Sequence, residues 1–203
     1  MDDAPIPTGR IVLLAILFEG SLALAAMALG WVSGYDPLVD LRWTWPAAGW
    51  GAAATLPPLV LMYWCARTPW SPCHALTQLV RSLILPFFAR ATWIDLALVS
   101  TAAGVGEELL FRGFLQASLA DWLGPWVGLA LASLLFGLAH LITPTYGVLA
   151  ALLGAYLGGL WLACNNLLAP IVTHALYDFV ALLYLLHTNQ DVPVARERVE
   201  NAG

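Results

Sequence analysis

Three short motifs hold the side chains in this sequence whose types and spacing could do chemistry. Glu107 and Glu108 precede Arg112 in the run Gly106-Glu-Glu-Leu-Leu-Phe-Arg-Gly113. Phe136 precedes His140 by four residues, and His174 precedes Asp178 by the same step. All three motifs sit in apolar surroundings. An ionisable side chain at the centre of a membrane helix costs at least about 2.5–3.5 kcal/mol, so such groups face a cavity or one another. Residues four apart share a helix face, which lets Glu108 pair with Arg112. Glu107 points roughly 100° away around the same helix and is left free of the arginine. A free carboxylate beside a histidine can polarise a trapped water as a general base. A second histidine can donate a hydrogen bond to the oxyanion of a tetrahedral intermediate. Asp178 could orient that histidine, or donate if it is itself protonated. The candidate catalytic residues are therefore Glu107, His140, His174 and Asp178, supported by Glu108, Arg112 and Phe136.

The elements that must position these groups are membrane helices. The chain has 203 residues, 61% of them hydrophobic and 10% charged. Soluble domains carry roughly 25% charged residues, so lipid must solvate most of this surface. Six apolar segments are marked off: 11–31, 47–65, 93–119, 125–141, 147–163 and 168–186. The fold class is all-α, a polytopic membrane helix bundle of about six transmembrane helices. Pro57-Pro58 should kink the second segment. Residues 66–90 read as a loop with an interfacial amphipathic piece. Three regions follow: 1–90 with the first helices and that loop, 91–187 as the catalytic core, and 188–203 as a polar tail. The acidic start and long first segment predict an uncleaved membrane helix rather than a secretory signal.

All eight basic residues are arginines, the net charge is −5, and no basic run exists. Nucleic-acid binding therefore has no electrostatic footprint. With six spans, Arg10, Arg67, Arg81, Arg90, Arg196 and Arg198 fall on one side and Arg42 on the other. That asymmetry predicts cytoplasmic termini. Cys65, Cys73 and Cys164 form no C-x-x-C pair and read as small buried apolar residues. Ala150, Gly154 and Gly158 make a small stripe that allows close helix contact. The turn near 121–124 brings Glu107 and His140 level across an antiparallel pair. His174 lies soon after the Asn165-Asn166 turn and should be shallower, unless the third helix ends at Gly113 and 114–122 lies along the interface. Glu19 has no visible partner; it could face the site or approach an interface. Asp95 suits the start of its helix, and His74 and His187 should be solvated.

The three motifs, in this order and on separate helices, resemble those of the CPBP group, the CAAX proteases and bacteriocin-processing enzymes. The Glu107-Glu108…Arg112 run resembles the family's Glu-Glu-x-x-x-Arg motif. Phe136…His140 resembles Phe-x-x-x-His, and His174…Asp178 resembles the final His-x-x-x-Asn/Asp. The resemblance spans about 93–187 and implies an intramembrane endopeptidase of the type II CAAX prenyl protease kind. By carry-over, Glu107 and His140 would activate water while His174 and Asp178 stabilise the oxyanion. Asp178 stands where the prenyl proteases carry Asn. Family members have been described both as metalloproteases and as glutamate-type enzymes, so a divalent metal such as zinc stays open as a cofactor. The implied partners are the lipid bilayer and a protein or peptide substrate at the membrane, which is lipidated or otherwise membrane-associated.

Other readings compete. A non-proteolytic scaffold or immunity protein of the same fold would keep its phenotype in Glu107→Gln. A proton-coupled transporter would use buried Glu and His as relays, but no internal repeat is visible. A di-metal carboxylate protein would need helical Glu-x-x-His pairs, and that spacing is absent.

Overall fold

The computed structural model describes residues 8–190, and every regular element among them is helical. Of the expected tail 188–203, residues 188–190 continue the last helix, and 191–203, with Arg196 and Arg198, lie outside the described residues, as does the acidic start 1–7. Helix α1 covers Thr8–Ser33, α2 Trp45–Ala54 and α3 Leu56–Arg67. Helix α4 covers Ser71–Phe88 and α5 Trp93–Leu123. Helices α6, α7 and α8 cover Pro125–Ala139, Pro144–Cys164 and Leu168–Gln190.

The polarity of the bundle is inverted relative to a water-soluble fold. Leu14, Phe18, Leu24, Leu56, Val60, Leu134 and Leu152 are exposed, whereas Glu107, Glu108, Arg112, Gln116 and His174 are buried. Lipid solvates the first set, and the second must satisfy itself internally. The protein is thus an integral membrane protein. Trp31, Trp43, Trp45, Trp93, Trp122 and Trp126 are all exposed and lie at or beside helix ends. Three described helices, α1, α7 and α8, are long and apolar enough to span. The pair α4–α5, bent by 115°, supplies a fourth if it counts as one broken span. An expectation of six would also require α6, a shorter apolar helix of 15 residues, and the interrupted pair α2–α3.

Proline chemistry explains the interruptions. The second segment breaks at Thr55, before Pro57-Pro58, rather than merely kinking. Neither proline can donate an N–H back to the carbonyl four residues earlier. Pro58 would have served Ala54, and the Ala54 carbonyl instead accepts from the Tyr156 hydroxyl at 2.8 Å. Residues 71–88 form a helix where the sequence suggested mainly loop. That helix passes through a π-helical stretch at Val80–Ile84 just before Pro86. Helix α5 opens with a capping box in which Thr92 and Asp95 bond each other's backbone N–H, at 2.8 and 3.2 Å. This is a more specific role for Asp95 than a favourable helix dipole.

Helix α5 does not end at Gly113. It runs on in π-helical form through Leu109–Gln116 and then as α-helix to Leu123. Pi-helical turns occur frequently at functional sites, and this one begins directly after Glu107-Glu108. His174 nevertheless reaches the depth of the glutamates, for a different reason. The turn before α8 is pinned part-way along α5. Asn166 Nδ2 donates to the Arg42 carbonyl at 2.8 Å, and Leu167 N donates to the Asp40 carbonyl at 2.9 Å. A Cβ on Gly113 would lie 3.2 Å from Leu167 Cδ2, which puts this turn level with Gly113 and not with Gly124. Running antiparallel from there, α8 brings His174 opposite Glu108.

Candidate active site

Glu107 and Glu108 leave α5 in different directions. Glu108 is fully buried and its Oε1 accepts two hydrogen bonds, from Arg112 Nη1 at 2.7 Å and from His174 Nδ1 at 2.8 Å. The first joins the two residues four apart on one helix, as the spacing predicts; the second ties α5 to α8. Arg112 Nη2 donates to the Gly154 carbonyl at 3.0 Å, and its guanidinium carbon lies 4.6 Å from the Phe136 ring centroid. Four residues on, Gln116 Nε2 donates to the Gly158 carbonyl at 3.2 Å. Arg112/Gln116 and Gly154/Gly158 thus form two rungs between α5 and α7. The small stripe on α7 exists for this approach: a Cβ on Gly154 would stand 3.3 Å from both Arg112 Nη2 and Phe136 Cβ. Sequence reasoning missed Gln116, although its step of four from Arg112 was available as a signal.

His140 follows the last residue of α6. Its Nδ1 donates to the Phe136 carbonyl at 2.9 Å. A carbonyl only accepts, so Nδ1 carries the proton of the neutral ring and Nε2 presents its lone pair. Phe136 stacks on the imidazole at 4.5 Å, which fixes the plane of the ring. Nε2 faces Glu107 Oε2 across 3.7 Å. That gap is too long for a direct hydrogen bond and suits a bridging water. Glu107 Oε2 is buried and has no hydrogen-bond partner among the described residues. An orphaned buried acceptor of this kind calls for an unseen partner.

His174 Nε2 lies 3.5 Å from Asp178 Oδ2 on the same face of α8. Glu19, Glu107, His140, His174 and Asp178 all line one cavity of about 560 Å³. The remaining wall is largely apolar and comes from α3, α4, α7 and α8, with Leu61, Met62, Val80, Ile84, Leu153 and Leu185 among its members. Every sequence-predicted site residue therefore converges on this cavity or directly behind it. Tyr146 and Tyr177 also line it. Tyr177 follows His174 by three residues, a same-face step that sequence reasoning passed over, whereas Tyr146 stands in no such pair with a site residue. Glu19 resolves toward the site. Gly106 lets α1 come so close that a side chain there would collide with the Glu19 backbone carbonyl. Cys65 also lines the wall as a buried free thiol, and His74 and His187 are exposed.

A zinc site needs at least three protein ligands converging at about 2.0–2.3 Å. Among the described residues no three His, Cys, Asp or Glu side chains are so grouped. His140 Nδ1 is hydrogen-bonded to a backbone carbonyl and His174 Nδ1 to Glu108, which leaves Nε2 of each ring toward the cavity.

Residues 89–180 match a family model described as type II CAAX prenyl endopeptidase, Rce1-like. The match covers all three motifs and somewhat under half of the chain. No curated protein and no solved structure matches the chain.

Proposed function

We propose, from the match of residues 89–180 to the Rce1-like model of type II CAAX prenyl endopeptidases, that this chain is a member of that family and hydrolyses peptide bonds inside the membrane with a water held between Glu107 and His140. The observation that carries the reading is the 3.7 Å separation of Glu107 Oε2 and His140 Nε2, two acceptors facing each other across one water's width. A water there donates one hydrogen to each and turns a lone pair toward the substrate. As its oxygen attacks the carbonyl carbon, its proton passes to Glu107, and His140 holds the other hydrogen. The new oxyanion lies toward His174, which donates from a protonated Nε2 while Glu108 holds the ring at Nδ1. The C–N bond then breaks and the proton on Glu107 moves to the leaving amine. Asp178 Oδ2 lies 3.5 Å from the same Nε2 and helps to hold the orientation of the His174 ring. Glu108 and Arg112 are positioning residues: their pairing keeps the second carboxylate from competing for the water.

The apolar wall supports a substrate that is membrane-associated or lipidated, since such a wall can receive apolar groups from the bilayer without exposing them to bulk water. The arginine distribution supports an orientation with Arg10 on the cytoplasmic side. Comparative proteomics of membranes carrying wild type or Glu107→Ala tests the reading. A peptide terminus that appears only with wild type identifies both activity and substrate. Identical sets of termini, with the host phenotype retained, would favour a scaffold of the same fold.

A further inference from the structure

The cavity holds two phenols, Tyr146 and Tyr177, that water activation does not use. Tyr146 is the third residue of α7. Thr143 caps that helix, its Oγ1 accepting from Tyr146 N at 3.2 Å, and Pro144 fixes the first helical turn. Helices α6 and α7 meet here at bare backbone: a Cβ on Gly137 would stand 2.6 Å from the Gly147 carbonyl oxygen. The close approach sets the Tyr146 ring nearly perpendicular to His140, with centroids 5.8 Å apart and planes at 83°. The carboxylates that bear on its hydroxyl are those of Asp178 and Glu107. Tyr177 instead faces Asp178, Tyr146 and Cys65. The Tyr156 and Tyr184 hydroxyls are hydrogen-bonded within the protein, to the Ala54 carbonyl and to Arg67 Nε. That of Tyr146 has no such partner among the described residues, although a buried phenol normally finds one.

The oxyanion end of the cavity is short of donors. His174 Nε2 offers one N–H, and Asp178 Oδ2 lies 3.5 Å from that same atom. An ionised carboxylate only accepts. Asp178 therefore steadies a protonated imidazole but gives nothing to an oxyanion. Glu107 Oε2 and His140 Nε2 face each other as acceptors across the water position. A phenol O–H is among the groups that stabilise developing oxyanions, and its strength there rises where bulk water is excluded. Tyr146 is the cavity phenol that both carboxylates address.

We propose that the Tyr146 hydroxyl is a second oxyanion donor beside His174, a catalytic residue contributed by α7; this role rests on the cavity being the cleavage site. As the water oxygen bonds to the carbonyl carbon, the carbonyl π pair moves onto its oxygen, and the phenol donates a hydrogen bond there while keeping its own proton. When the C–N bond breaks, that pair re-forms the carbonyl and the proton held by Glu107 leaves on the amine. The test uses purified full chain in lipid nanodiscs and a synthetic peptide spanning the junction whose terminus depends on wild type. Tyr146→Phe keeps the ring against His140 and removes only the hydroxyl. It is expected to lower kcat at least about tenfold and up to about 10³-fold, with KM within about threefold of wild type. Asp178→Asn replaces an acceptor by a side chain that can donate from the same end of the cavity. In that background Tyr146→Phe is expected to cost at least about threefold less, a coupling that a merely structural tyrosine would not show. A kcat loss below about tenfold, a change confined to KM, equal losses in both backgrounds, or an inactive Asp178→Asn overturns the proposal. Wild-type cleavage that depends on Glu107 but not on Tyr146 counts against this proposal alone. Absence of any wild-type-dependent junction ends the protease reading and this role with it.

Discussion

Replacing Arg112 with methionine keeps much of the side-chain volume and deletes its charge. Three contacts go with it: the 2.7 Å pair with Glu108, the 3.0 Å bond to the Gly154 carbonyl, and the guanidinium 4.6 Å from the Phe136 centroid. Glu108 is then a fully buried carboxylate held only by His174, with an Oε2 that already has no partner. Breaking one member of a buried pair costs about 3–5 kcal/mol, mostly because the other charge is stranded. For a chain of this size each kcal/mol shifts the melting midpoint by about 2–4 °C, so the variant should melt roughly 6–20 °C lower. Tryptophan fluorescence during heating of detergent-purified protein reads this directly. The sharper test adds Glu108→Gln. With the stranded charge removed, the double variant should be more stable than the two single losses imply, by at least about 1 kcal/mol of coupling. Strictly additive losses, or an Arg112→Met midpoint equal to wild type, would refute the idea that this pair is the structural support of the site.

Three further substitutions test the surrounding architecture. Gly106→Ala forces a methyl against the Glu19 carbonyl and should destabilise by about 1–3 kcal/mol through overpacking, seen as a lower melting midpoint. Gly20→Ala on α1 meets open space and should raise stability by about 0.5–1 kcal/mol in the same assay. Asn166→Ala removes bonds to the Arg42 carbonyl, the Arg42 amide and the Leu168 amide. It should cost about 1–3 kcal/mol and speed hydrogen exchange at the start of α8 before α5 is affected.

Local periodicity carried much of the site. The pairs 108/112, 136/140 and 174/178 need only the helical repeat, and each pair meets in space. The level agreement of Glu107 and His140 also followed from counting residues to one tight turn. Counting failed for His174 because it assumes that every turn lies at the same membrane depth. The segment around Asp40–Thr44 breaks that assumption by fastening the Asn166 turn beside Gly113. That pairing joins residues more than 120 positions apart, and no local pattern announces it. Glu19 was ambiguous for the same reason, since its placement depends on a bare glycine on another helix. Pro57-Pro58 announced a disruption, but the position of the break depends on Tyr156 being available for the freed Ala54 carbonyl. Helix α4 was under-read because its prolines and arginines resemble loop composition, while a π-helical stretch before Pro86 lets the helix continue.

Steady-state cleavage of a peptide identified from its wild-type-dependent terminus tests the water-activation claim most directly. Glu107→Gln and His140→Ala should each lower kcat by about 10²–10⁴-fold, with KM within about threefold of wild type, because the first removes the proton acceptor, the second the group that orients the water, and neither removes substrate binding. Retention of wild-type kcat in either variant would contradict a water held between the two side chains.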